Sequence, residues 1–422
     1  MMPGRFAPLE GVLVVALEQA VSAPLGTRTL ADLGARVIKV ENPRGGDFTR
    51  NFDTVVNGMA AHFVWLNRGK ESIALDLTVP AARDALHALL DRADVLVSNL
   101  GPGATGRLGI GPADLAERHP HLIGVEISGY GRSGPLAGKR AYDLLVQAEA
   151  GACAITGFPG QPAKPGPPYA DTSTGLYAAI AVQAALAERA VTGKGRQIEV
   201  SMFDVVTELM GYPLTWTRYT GIDQQPVGMA SFAVAPYGAY PTSDGRTVVL
   251  GTTNDGEWQR LARQLLSRDD LADDPRYAHT DDRVARRAEL DDVLAQWSAR
   301  HTLQEIQAAA DAAGIGNAVY RTHVEVLDHP QLAARDRWRE VATPAGPAVG
   351  LAPPLLFDGE SLPAGPVPAL GEHTEAVLRE LGIDPAAAAT PAAAAAAAPA
   401  AAPAPAAAPA ADAGPPLAEP QK

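Results

Sequence analysis

Residues 12–41 read VLVVALEQAVSAPLGTRTLADLGARVIKVE, and the alternation within them decides the fold. Val12–Leu17 is a short apolar run, which predicts a buried strand. Leu25–Leu33 is helix-like and stops at Gly34. Arg36–Glu41 (RVIKVE) predicts a second strand. Strand, helix and strand in so short a span make a βαβ unit, whose strands run parallel in one sheet.

The same rhythm continues outward. Pro80–Arg92 predicts an amphipathic helix, Asp94–Asn99 (DVLVSN) a strand, Pro112–Arg118 a short helix and Leu122–Ser128 a strand. Asp171 opens the next segment, and Thr174–Ala190 reads as a long helix that the turn Thr192–Gly195 ends. Gln197–Met202 then reads as a strand, with another helix to about Met210. The expected fold is therefore α/β, a parallel sheet covered by helices. The character changes at Thr220–Pro236, rich in Gly, Gln and Pro. A strand at Thr247–Gly251 follows, with helices near Glu257–Leu266, Arg283–Arg300 and Leu303–Ala313. The expected division is a large domain over 1–220, a smaller one over 226–326 and a further segment, 330–383. Residues 385–422 are Ala/Pro low-complexity, and Pro recurs too often for a stable helix, so a disordered tail is expected.

The chain has 422 residues, 46% of them hydrophobic, and a formal net charge of −13. So acidic a chain has no bulk electrostatic reason to bind nucleic acid or an anionic membrane. The single cysteine, Cys153, excludes an internal disulfide and a cysteine-based zinc site. No apolar run approaches the ~20 residues needed to cross a bilayer, and the N-terminus has no signal core. A soluble cytoplasmic protein is expected, with no metal.

Glu41 sits where the carboxylate of a dinucleotide site would bind ribose. Yet the turn after the first strand reads EQAVSAPLG and lacks the glycines a pyrophosphate needs for close approach, so no NAD site is expected. The loop Asn99–Gly109 (NLGPGATGRLG) is irregular enough to turn N–H groups toward a ligand, and Arg107 adds a cation. Arg68 and Lys70, and then Lys139 and Arg140, are basic pairs that could converge on a polyphosphate ligand or simply lie on the solvated surface. Asp171, in PPYADTSTGLYAAIA, has two readings. It could cap the helix that follows. It could also be a nucleophile, held ionised by the helix dipole and free N–H groups.

Taken together, APLGTRTLADLGARVIKVE, NRGKESIALDL, ADVLVSNLGPGATGRLG, SGYGRSGP, AYDLLVQAEAG, ADTSTGLYAAIA, TGKGRQIEVSMFD, APYGAY and LGEHTEAVLRELG resemble the class III CoA-transferase family, over nearly all of Leu9–Gly382. The resemblance implies a large Rossmann-like domain built from both chain ends, with 330–383 returning to it, and a smaller α/β domain. It implies a homodimer of chains threaded through one another like linked rings. It implies no tightly bound cofactor; a coenzyme A thioester and a small carboxylic acid are the substrates.

Residue by residue, the family's nucleophilic aspartate falls on Asp171. Its CoA-contacting loop falls on Asn99, Leu100 and Gly101, with Arg107. A basic CoA contact falls on Arg140. The contacts near the first turn fall on Val21 and Ser22, which do not match the glutamine–alanine pair of the formyl-CoA transferases; a cationic contact would fall at Asn42, with Arg44 nearby. The family's racemases carry a histidine where this chain has Tyr142, a poor general base at neutral pH. Residues 228–238 (GMASFAVAPYG) lack the glycine-rich loop of formyl-CoA transferases, so an acid larger than formate or oxalate is expected. The implied activity is CoA transfer through an aspartyl intermediate. An acyl-CoA racemase or epimerase, and a non-catalytic CoA-binding protein, stand as alternatives.

Overall fold

A computed structural model of the chain describes residues 7–388. Most of the low-complexity tail lies outside the described residues. Its first part, Pro385–Ala388, departs from expectation and forms one helical turn.

The first half builds one parallel sheet from β1 (Leu13–Leu17), β2 (Arg36–Glu41), β3 (Lys70–Ala74), β4 (Val95–Ser98) and β5 (Ile123–Ser128). After a small hairpin, β6 (Gly157–Phe158) with β7 (Gln161–Pro162), comes the sixth strand, β8 (Gln197–Ser201). The order is β3-β2-β1-β4-β5-β8, every pair parallel. The chain thus winds outward in both directions from β1 and β4. At that switch the two loops leave the strands' C-terminal ends on opposite sides and open a crevice.

Both sheet faces are covered, which is why the strands read as apolar runs. Val14 and Ala16 of β1 and Val95 and Val97 of β4 pack toward Leu30 of helix α1 (Ser22–Asp32). On the alternate face Val15, Leu17 and Leu96 meet Leu86, Leu89 and Leu90 of Pro80–Leu90, together with Val377 and Leu378 of the C-terminal helix Thr374–Glu380. That C-terminal segment also occupies the edge of β3. Thr374 Oγ1 accepts from Ala74 N at 2.9 Å, and His373 N donates to the Ser72 carbonyl at 2.9 Å. An open strand edge is thereby satisfied.

A second, antiparallel sheet joins β9 (Tyr237–Pro241), β10 (Thr247–Gly251) and β11 (Gly316–Val319) in the order β11-β10-β9. Its core gathers Tyr240, Val248, Leu250, Trp258, Leu290 and Ile306. No helix among the described residues is long and apolar enough to cross a membrane.

Candidate active site

The crevice at the sheet switch is a cavity of about 810 Å³, lined from the turn after β1, the loop after β4, residues 126–142 and the start of a long helix. That helix runs Tyr169–Thr192 and crosses α1 at two glycines. A Cβ on Gly175 would stand 2.4 Å from the Ser22 carbonyl oxygen, and one on Gly26 would stand 2.8 Å from the Gly175 carbonyl oxygen. Only glycine allows backbones this close. Asp171 and Ser22 each lie four residues before a crossing glycine, so the contact brings both to the cavity.

The turn before α1 is set from below. Ala20 adopts φ 63°, left-handed for a residue with a side chain. Its N–H donates to Asp47 Oδ1 at 3.3 Å. Asn99 clamps the turn across the crevice: Oδ1 accepts from Gln19 N at 2.9 Å, and Nδ2 donates to Gln19 O at 2.8 Å and Ser22 Oγ at 3.3 Å. Beneath lies a wholly buried ion cluster. Lys39 reaches Asp47 Oδ2 at 2.8 Å and Glu18 Oε1 at 3.3 Å, while Lys70 reaches Glu18 Oε1 at 2.6 Å. Burial lowers Lys70 to about 8 against the pull of Glu18. Burial works against the Glu18 charge as well, but Lys70 and Lys39 hold its carboxyl below the ordinary value.

Asp171 is the third residue of its helix and not the cap; Pro168 occupies that position with no side-chain bond. The first-turn donors go elsewhere. Asp143 Oδ1 accepts from Ala170 N at 2.9 Å and from Asp171 N at 3.3 Å, and Thr172 N donates to Pro168 O. Two expectations are corrected together. The N–H groups at this helix start are engaged and do not face the cavity as free donors. Nor is the carboxyl held ionised by them: burial and the adjacent Asp143 push Asp171 up to about 7, although Ser22 donates a hydrogen bond to it. Asp143 had no assigned role in the sequence, because its two backbone partners lie 27 and 28 residues away.

Asn99, Leu100, Gly101, Arg107, Arg140 and Ser22 border the same cavity as Asp171. Val21 does not; it is buried with Leu25 and Leu66. The basic pair Arg68 and Lys70 is also not available to a ligand. Arg68 is bonded to Asp32 at 2.7 Å and to the Leu351 carbonyl, and Lys70 is sunk in the ion cluster. Arg44 is paired with Asp76 at 3.0 Å and lies away from the cavity lining. Within the cavity, Lys139 is paired with Glu149 and Arg132 with Glu126. Arg107 and Arg140 have no side-chain partner among the described residues. They are the lining cations left free for an anionic ligand. Among the described residues, no histidine lines the cavity. No group of His, Cys, Asp or Glu among the described residues is arranged to hold a metal ion.

Known proteins resemble this chain in sequence and fold. Residues 9–374 match the model of CoA-transferase family III. A succinate–glutarate CoA-transferase of Agrobacterium fabrum is 34% identical over 90% of this chain and 97% of its own length. An acetyl-CoA:oxalate CoA-transferase of Acetobacter aceti is 36% identical over 78% of this chain and 85% of its own length. Among solved structures, a CAIB/BAIF family protein from Brucella suis superposes with a TM-score of 0.77 at 34% identity, covering 89% of this chain and all of that one. With the whole sheet and its crevice inside the matched span, the chain belongs to CoA-transferase family III.

Proposed function

We propose that the chain moves CoA from an acyl-CoA to a carboxylic acid through a covalent intermediate on Asp171. The observation that carries this reading is the placement of the Asp171 carboxyl. It is half-buried in a cavity whose two unpartnered cations, Arg107 and Arg140, suit the phosphates of CoA. Ionised and partly stripped of water, a carboxylate is a strong nucleophile toward a thioester carbonyl.

The Asp171 carboxylate attacks the donor carbonyl, and the CoA thiolate leaves, giving a mixed anhydride. The thiolate then attacks the aspartyl carbonyl; the donor acid leaves as a carboxylate, and an aspartyl-CoA thioester remains. The acceptor carboxylate attacks that carbonyl and expels the thiolate again. Attack of the thiolate on the acceptor's acyl carbon yields the new acyl-CoA and returns Asp171. Ser22 holds Asp171 in line, and the N-terminus of α1, without a side-chain cap at Val21, turns its positive end to the developing oxyanion.

Relatives named for succinate, glutarate and oxalate support a short dicarboxylic acid as acceptor, and a succinyl thioester is the donor we would try first. A homodimer accounts for the apolar face of the long helix, where Leu176, Tyr177 and Ile180 are exposed. A reducing, cytoplasmic setting fits a chain with one cysteine. A screen of donor and acceptor pairs tests the reading; no transfer with any carboxylic acceptor would end it.

One observation favours a racemase or epimerase: a carboxyl pushed up to about 7 is poised as a general base. Such a reaction needs a second base across the substrate. Tyr142, in place of a histidine, holds the matching position and is largely exposed. Exchange of the α-proton for solvent deuterium with no acid acceptor present would favour that reading over transfer.

A further inference from the structure

Beyond Arg107 the cavity wall continues into a separate groove of about 410 Å³. It lies between the helix Pro80–Leu90, residues 106–109 and the end of the helix Pro112–Arg118. Gly106 and Arg107 border both spaces. Arg83, Arg107 and Arg118 line the groove, and none has a side-chain hydrogen bond or ion pair among the described residues; Asp84 is the acid at its rim.

At the floor is His87, only 6% exposed. Its Nδ1 lies 3.2 Å from His119 Nε2, and His119 Nδ1 lies 2.9 Å from Asp91 Oδ1. The Asp91 carboxylate lies at the far end of the pair. With a proton on His119 Nδ1, the nitrogen beside that carboxylate, His119 Nε2 accepts from His87 Nδ1. His87 Nε2 is then the bare nitrogen, and it points at Gly109, where a Cβ would stand 3.9 Å away. A glycine there leaves the nitrogen open to the groove. Three free guanidinium groups and one proton-accepting nitrogen match a phosphate monoester, which carries about −1.5 to −2 charges and has its second pKa near 6.

We propose that this groove binds a phosphate monoester, with Arg83, Arg107 and Arg118 meeting its oxygens and His87 Nε2 sharing its proton. One source is the ribose 3′-phosphate of a CoA whose thioester lies at Asp171 and whose chain passes Arg107; this source rests on the CoA-transfer reading. The other is a free phosphate ester, which does not. Either way the complex holds one proton more than the free dianion and the neutral ring. Affinity therefore rises as pH falls from about 8 to 6. The charges facing His87 set its starting point: Arg118 and Arg107 from the neighbouring elements, His119 beside it, and Asp84 and Asp91 on its own helix. Burial, with Arg118 and His119, holds it neutral below its ordinary value.

The test is calorimetric binding to the full chain, with CoA, dephospho-CoA and inorganic phosphate as probes, in wild type, Arg83→Gln and Arg118→Gln. If the 3′-phosphate is the ligand, wild type prefers CoA over dephospho-CoA at least tenfold, and both variants bring that ratio within twofold of unity. If a free ester is the ligand, the ratio is the same in all three proteins. Phosphate then binds wild type, more tightly at pH 6 than at pH 8, and Arg118→Gln weakens it at least fivefold. An unaltered ratio with no phosphate binding that depends on Arg118 overturns the proposal. None of these readings needs turnover, so failure of the transferase mechanism would leave the phosphate result standing.

Discussion

Gly26 and Gly175 meet backbone to backbone where two helices cross, and each lies one turn beyond a residue of the candidate site, Ser22 and Asp171. A methyl group on Gly175 would sit 2.4 Å from the Ser22 carbonyl oxygen, a backbone atom that cannot step aside. Gly175→Ala should therefore push the helices apart, costing about 1–3 kcal/mol, and lower kcat at least tenfold. Urea unfolding and steady-state rates check both effects. Wild-type stability and rate in this variant would mean that the crossing does not position the site.

Asp143 supplies a negative charge that acts on Asp171 and accepts two N–H groups of its helix. Transfer needs Asp171 ionised, so kcat/KM should rise with pH through about 7 and level off above it. Asp143→Asn removes the charge while its amide oxygen can still accept those bonds. The rising limb should then move to lower pH. A limb that stays in place would show that another group governs it.

The same raised pKa has a consequence for stability. Folding raises Asp171 from 3.8 to about 7, so the native state holds a proton that the unfolded chain releases. The stability tied to that proton is complete below about pH 4 and is lost as pH rises through 7. Asp171→Asn mimics the neutral form. Its stability relative to wild type should grow by on the order of 2 kcal/mol between pH 5 and pH 8. Chemical denaturation at the two pH values reads this. A helix cap would behave differently, losing ~1 kcal/mol on substitution.

Arg140 has no side-chain partner among the described residues and borders the cavity. As a contact to CoA it acts on ground state and transition state alike. Arg140→Gln should raise KM for the acyl-CoA about tenfold and leave kcat within about threefold. Loss of kcat with KM unchanged would move Arg140 from binding to chemistry.

The strands of the first sheet were legible because both faces of that sheet are buried. Leu13–Leu17 and Val95–Ser98 read as apolar strands without any knowledge of their neighbours. Strand Tyr237–Pro241 was missed; its sequence YGAYP carries a glycine and a proline and little apolar bulk. The cavity loops were legible as glycine-rich connections, and Asp171 by its place before a long helix. Its protonation was not. Dipole and N–H groups visible in the sequence argue for a low pKa, whereas burial and Asp143 raise it to about 7. Likewise, nothing local marks Lys70 as buried: Glu18, its partner, is 52 residues away.

Trapping the aspartyl intermediate tests the central claim most directly. The enzyme is incubated with a succinyl thioester of CoA and no acceptor, quenched with hydroxylamine, digested and weighed. If Asp171 is the nucleophile, the peptide containing YADTSTG carries a hydroxamate on Asp171, and Asp171→Asn carries none. Transfer proceeding at full rate with that peptide unmodified, or with the adduct on another residue, would contradict the account.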